Sequence, residues 1–150
     1  MYLGVDDMDL LQMENIVTTQ LKVRVPRVVV RYDSEGNPLT IADLFPKISF
    51  TTEISDSTPS FPNVYIHELE SSEVGNSIPN QEIHAIRDTI QIDVSTNVNK
   101  SEAHIVANAV VRSMKVLRYS AVMVPIYSKL NNVHRYTIRF RRIVASGDTF

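Results

Sequence analysis

The stretch Ile83-His84-Ala85-Ile86-Arg87-Asp88-Thr89-Ile90-Gln91-Ile92-Asp93-Val94 carries the cleanest alternation in the chain. Ile86, Ile90, Ile92 and Val94 fall on one face of an extended segment, and Arg87, Thr89, Gln91 and Asp93 fall on the other. A period of two with one apolar and one polar face predicts a β-strand. Directly after it, Asn99 and Glu102 stand at capping-box spacing, and Ala103, Val106, Ala107, Val110, Val111, Met114 and Leu117 recur at the spacing of an amphipathic helix. A helix that follows such a strand lays its apolar stripe across the sheet.

Reading outward adds further strands on both sides. The segment from about Ser120 to Tyr127 and the segment from Val133 to Val144 read as a closing pair joined through Lys129-Leu130-Asn131-Asn132. In the last strand Tyr136, Ile138 and Phe140 alternate with Arg135, Thr137, Arg139 and Arg141, and Pro125 restricts its own strand to an edge or a bulge. Upstream, Pro62 to Glu70 is a strand, followed by a polar loop from Ser71 to Asn80. From Lys47, Ile48, Phe50, Thr52 and Ile54 share the face of another strand, which the Asp56-Ser57-Thr58-Pro59 cluster ends.

The N-terminal part begins with a helix over about Met8 to Val23, with Leu10, Leu11, Met13, Ile16, Val17 and Leu21 as its stripe, and Pro26 stops it. Residues 26–46 form an excursion, an insertion or extended hairpin. It comprises a β-branched strand at Arg27 to Tyr32, a turn at Asp33 to Pro38 and one helical turn between Leu39 and Phe45. The order of helix, strands, helix, strands without a βαβ repeat predicts an α+β fold. It is a single domain over residues 1–150, with a mainly antiparallel sheet of four to five strands and two helices.

Composition bounds the function. The chain has 150 residues, 43% hydrophobic and 21% charged, within the range of an ordinary globular domain. Without cysteine there is no disulfide framework or thiolate chemistry. No apolar run reaches the roughly 18 residues of a membrane span, and Asp6, Asp7 and Asp9 are unlike the start of a signal peptide, so a cytoplasmic product without a membrane partner is expected. The formal charge of −2 conceals a division: residues 1–99 hold 6 basic and 15 acidic side chains, and residues 100–150 hold 9 basic and 2 acidic. Such asymmetry points to a nucleic acid, or to head-to-tail association of copies.

Candidate chemistry is sparse. His67, Glu68 and Glu70, with His84, His104 and His134, are the only histidine and carboxylate candidates for a metal or acid–base site, and none has HxxxH or HxH spacing. Ser57, Ser71, Ser101 and Ser146 lack a nucleophile-elbow context, and with four glycines no phosphate-cradling loop opens a helix. The reading is a protein that is not an enzyme and has no catalytic residue, metal or cofactor. The strongest polar feature is the basic set Arg135, Arg139, Arg141 and Arg142 with Arg112, Lys115 and Arg118. It is a subunit interface or lumen surface, a phosphate-contacting face, or a solvated strand face next to a helix end favourable to cations.

The segment Phe61-Pro62-Asn63-Val64-Tyr65-Ile66-His67-Glu68-Leu69-Glu70, the hairpin from Pro125 to Arg142 and the helix start Asn99-Lys100-Ser101-Glu102-Ala103 resemble small tail-completion proteins of long-tailed bacteriophages. The resemblance covers about residues 9–22 and 47–150, and the 26–46 excursion departs from it. It implies a structural virion protein, a tail terminator or adjacent head-to-tail joining subunit. Such a subunit assembles in the host cytoplasm as a ring, typically a hexamer, in the neck at the head-proximal end of the tail. Its implied partners are further copies of itself, the tail tube protein, the head-tail connector or neck protein, and DNA that passes through the lumen without being read. The alternative is a nucleic-acid-binding domain using the arginine-rich final strand.

Overall fold

The computed structural model describes residues 13–52, 59–73 and 85–145. Helix α1 (Met13–Arg24) buries Met13, Val17 and Leu21, the stripe expected of it; the first part of the expected helix, from Met8, lies outside the described residues. Pro26 does not end the helical path at once. A 3-10 turn, Val25–Arg27, continues it, with the proline at a first-turn position where its missing N–H costs nothing.

The excursion is a hairpin of its own. Strands β1 (Val29–Tyr32) and β2 (Pro38–Thr40) pair antiparallel in a separate two-stranded sheet, and the short helix α2 (Ile41–Leu44) follows. The turn is held by the Asp33 carboxylate, which accepts from the backbone N–H groups of Glu35 and Asn37, and by Gly36 at φ +82°. These backbone donors hold the Asp33 carboxyl below its ordinary value. Thr40 and Asp43 cap α2 reciprocally. Of the two readings of residues 26–46, the extended hairpin is the one observed, with β2 taking up Pro38–Thr40, where a turn and a helical turn were expected.

The main sheet has six strands: β3 (Ser49–Thr51), β4 (Asn63–Glu73), β5 (Ala85–Thr96), β6 (Ser120–Ala121), β7 (Ile126–Leu130) and β8 (Val133–Ala145). Their order is β3-β4-β5-β8-β6, with β7 also on β8, so the three long strands form the centre and the short ones the edges. All pairs are antiparallel except β3 with β4. The fold is therefore α+β with a mainly antiparallel sheet.

Several boundaries differ from the sequence expectation, among them Lys129 and Leu130, which were expected in a link and belong to β7. The strand from Lys47 shortens to β3, with Ile54 outside the described residues. Strand β4 runs on to Glu73 where a loop was expected from Ser71. The segment around Pro125 breaks into β6 and β7, because proline cannot donate to a ladder.

Helix α3 (Lys100–Val116) starts where Asn99 accepts from the Glu102 N–H at 2.8 Å, but the Glu102 carboxylate turns to the Thr96 hydroxyl, so only half of a capping box forms. Ala103, Val106, Ala107, Val110 and Met114 are buried and Val111 half-buried, as the spacing predicts. Helices α1 and α3 lie on the same side of the sheet. The core between them and the sheet is made of Val64 and Ile66 from β4, Ile86, Ile90, Ile92 and Val94 from β5, and Tyr136, Ile138, Phe140 and Val144 from β8. Lys100, at the start of α3, sits 4.5 Å from the Tyr127 ring and ties the helix to the β7–β8 hairpin. No helix of the described residues is long and apolar enough to cross a membrane.

Candidate functional site

Because both long helices occupy one side, the other face of the sheet carries no helix among the described residues. Strand parity decides what it displays. In the β5–β8 register, Gln91 lies opposite Arg139, Asp93 opposite Thr137, and Ser95 opposite Arg135. Next to them on β4, His67 is opposite Gln91 and Tyr65 opposite Asp93. Polar side chains of three strands therefore meet on one surface.

They form a connected network. Thr137 donates to Asp93 at 2.7 Å, Gln91 donates to the other Asp93 oxygen at 3.4 Å, and that oxygen lies 3.6 Å from His67 Nε2. Arg139 donates through Nε to Gln91 Oε1 at 3.0 Å, and Arg135 donates through Nε to Ser95 Oγ at 3.3 Å. The Tyr65 ring stacks on His67 with centroids 4.7 Å apart. Bonds through Nε lay the arginine stems along the sheet and leave the rest of each guanidinium fork available. Arg87, Arg135, Arg139 and Arg141 are exposed, and among the described residues none has a carboxylate within ion-pair distance.

An apolar margin borders these arginines. Ile143 is opposite Arg87 on the same face, and Ile126 and Leu130 of the edge strand β7 lie opposite Thr137 and Val133. Ile143, Ile126 and Leu130 are 53%, 56% and 74% exposed, and Val124, just before β7, is 82% exposed. An edge strand that displays large apolar side chains has the character of a surface that another chain covers.

The basic set read from the sequence is divided by the sheet. Arg135, Arg139 and Arg141 belong to the open face. Arg112 and Lys115 are exposed on α3, on the opposite side, where Arg112 donates to the Val29 carbonyl at 3.2 Å. Arg118 lies just past α3, exposed, with φ +66°. Arg142 requires a correction as an interface or lumen candidate: it is 6% exposed on the core face and donates to the Leu117 carbonyl at 2.8 Å. Its even-numbered position places it with Phe140 and Val144.

The histidine and carboxylate candidates do not converge either. His67, His104 and His134 lie on β4, α3 and β8, His84 is outside the described residues, and no group of three or more metal-ligating side chains occurs among the described residues. His104 lies beside the Tyr136 ring, and His134 Nδ1 shares a 2.7 Å hydrogen bond with the Tyr127 hydroxyl.

Sequence reasoning missed a second polar constellation, inside the core. Asp88, fully buried, accepts from the Tyr119 hydroxyl at 2.6 Å, stands opposite Arg142 in the sheet, and neighbours Glu68. Burial, then the hydrogen bond to Asp88 and the charge of that residue, push the Glu68 carboxyl up to about 8. Burial and the Asp88 charge likewise raise the Tyr119 hydroxyl well above its ordinary value. A Glu68 that keeps its proton can donate, and Asp88 Oδ1 has no hydrogen-bond partner among the described residues. The backbone N–H of Glu68, beside a bulge at Leu69, is bound at 2.9 Å by the Glu14 carboxylate, which fastens α1 to β4. The available signal was parity: Asp88 and Arg142 occupy core-face positions of their strands.

No protein-family model matches the chain, and neither does any curated protein.

Proposed function

We propose that this chain is a ring-forming structural subunit of a long-tailed bacteriophage, a tail terminator or the adjacent head-to-tail joining protein, and not an enzyme. The observation that carries the reading is the one-sided sheet, with its open, arginine-bearing face bordered by exposed apolar residues of the β7 edge. A closed ring needs two different, mutually complementary surfaces on each copy. The acidic first 99 residues and the basic last 51 provide the charge for such a pairing, and Ile126, Leu130 and Val124 provide apolar area. The assignment to a phage tail rests on the likeness of the Phe61–Glu70 and Pro125–Arg142 segments to tail-completion proteins.

The role is one of shape. A tail tube grows because each added ring presents the same acceptor surface. A terminator matches the tube on one face and does not reproduce that surface on the other. The connector or neck protein meets the second face, and DNA passes through the middle without being read.

A second reading, a nucleic-acid-binding domain, is favoured by one feature. Arg135, Arg139 and Arg141 line one face of one strand, with the last two about 7 Å apart at a strand rise of roughly 3.4 Å per residue. Removing the protein from the producing phage separates the readings. The structural role gives tails of uncontrolled length, or tails not joined to filled heads, in micrographs of the lysate. Normal infectious particles contradict it. A replication or transcription defect, together with DNA affinity that falls steeply with salt, assigns the chain to the second reading.

A further inference from the structure

On the side of the molecule away from the open sheet face, α1, the 3-10 turn and the C-terminal half of α3 enclose a cleft of about 470 Å³. Arg24, Arg27 and Arg112 are among its lining residues, with Val23 and Val116 as apolar walls and no carboxylate. Two of the arginines are held by hydrogen bonds. Arg24 Nε donates to Gln20 Oε1 at 3.3 Å, and Arg112 donates to the Val29 carbonyl at 3.2 Å. In the wall of the cleft Ser113 is only 3% exposed, and its hydroxyl has no hydrogen-bond partner among the described residues. A buried hydroxyl without a partner is a net cost to the fold, which a donor or acceptor brought by a ligand removes.

We propose that this cleft binds an organic oxyanion, a phosphate or carboxylate carried on a small apolar body. The volume is in the range of small-ligand sites, which combine apolar walls with a few convergent polar groups. Planar guanidinium forks suit the paired oxygens of either acid group. Ser113, a lining residue, adds a neutral donor, while Val23 and Val116 cover the apolar body. The site does not depend on the ring reading.

Calorimetry of the purified protein, in the assembly it forms, with inorganic phosphate, phenyl phosphate and benzoate tests the proposal. Phenyl phosphate or benzoate binds more tightly than inorganic phosphate, and whichever of the two binds better names the acid group. Arg27→Gln and Arg112→Gln each weaken binding about ten-fold or more. Ser113→Ala weakens it several-fold while raising the melting temperature of the unliganded protein, a combination that a merely structural serine does not give. Arg139→Gln, on the open sheet face, leaves binding unchanged. Absence of binding by all three probes, or equal binding by the Arg27 and Arg112 variants, overturns the proposal. If no probe binds but Arg27→Gln disrupts assembly, the cleft belongs to a contact between copies instead.

Discussion

Arg118 sits at φ +66° at the end of α3, where Tyr119 N–H reaches the Met114 carbonyl at 2.9 Å and Arg118 N–H reaches Lys115 at 3.0 Å. This is the left-handed helix stop that glycine fills without strain, and an arginine there carries a cost. Arg118→Gly is expected to raise stability by about 1 kcal/mol, read as a shift in the urea midpoint; a loss of stability means that the Arg118 side chain makes a stabilising contact. Glu68 gives a pH signature. Its folded carboxyl titrates at about 8 against 4.5 when unperturbed, so the folded state holds the proton more tightly. Its contribution is complete below pH 4.5 and declines as pH rises to about 8. Glu68→Gln removes that decline, so urea midpoints of parent and variant diverge over this window in favour of the variant at high pH; parallel profiles contradict the assignment. Asp88 and Arg142 were legible as core-face charges by counting residues along their strands. Their meeting with Tyr119 was not, because that contact depends on how the chain leaves α3, and no sequence period encodes it.

Among the elements, the long ones were legible in type and face, whereas of the short ones β1, α2 and β3 were legible as elements but not in their bounds or pairing. Strand β5, helix α3 and strand β8 each repeat their pattern often enough for the core face to be fixed, and the apolar residues of that face are buried; Thr89, Asp93 and Ser95, on the other face of β5, are buried as well, under the side chains of the neighbouring strands. The excursion's second strand has three residues, and β3 joins the sheet by parallel pairing with β4, a long-range choice that no local pattern signals. Asn131 and Asn132, with φ of +50° and +64°, form the tight two-residue hairpin turn between β7 and β8, a sequence signal that fixes the register of the last pair. Helix α3 gives the sharpest test of the core. Val110 is fully buried, its burial is worth roughly 2 kcal/mol, and an unpaired carboxylate there adds a larger penalty. Val110→Asp is expected to destabilise the fold by at least about 4 kcal/mol, leaving little cooperative thermal unfolding. A soluble variant of unchanged melting temperature contradicts the placement of α3 on the sheet.

At the scale of the whole molecule, the sequence offered the charge division and the structure adds its geometry. Seven basic residues that looked like one group are separated by the sheet into an open-face set, a helix-side set and one buried arginine. Only the open-face set has the position of a broad contact surface. Arg139 and Arg141 are exposed and make no ion pair among the described residues, so Arg139→Glu with Arg141→Glu is expected to leave the secondary structure and melting temperature nearly unchanged. The same pair is expected to slow ring assembly in low salt, because complementary charges steer association more than they hold it. Unchanged assembly moves these arginines to the lumen or to solvent. Closure of copies of this chain into a ring, as proposed, is read by native mass spectrometry of the purified protein. One dominant closed oligomer is expected, a hexamer by the tail-completion resemblance, stable on dilution and without bound nucleic acid. A monomer at every concentration, or an open series of oligomers without a preferred size, contradicts it.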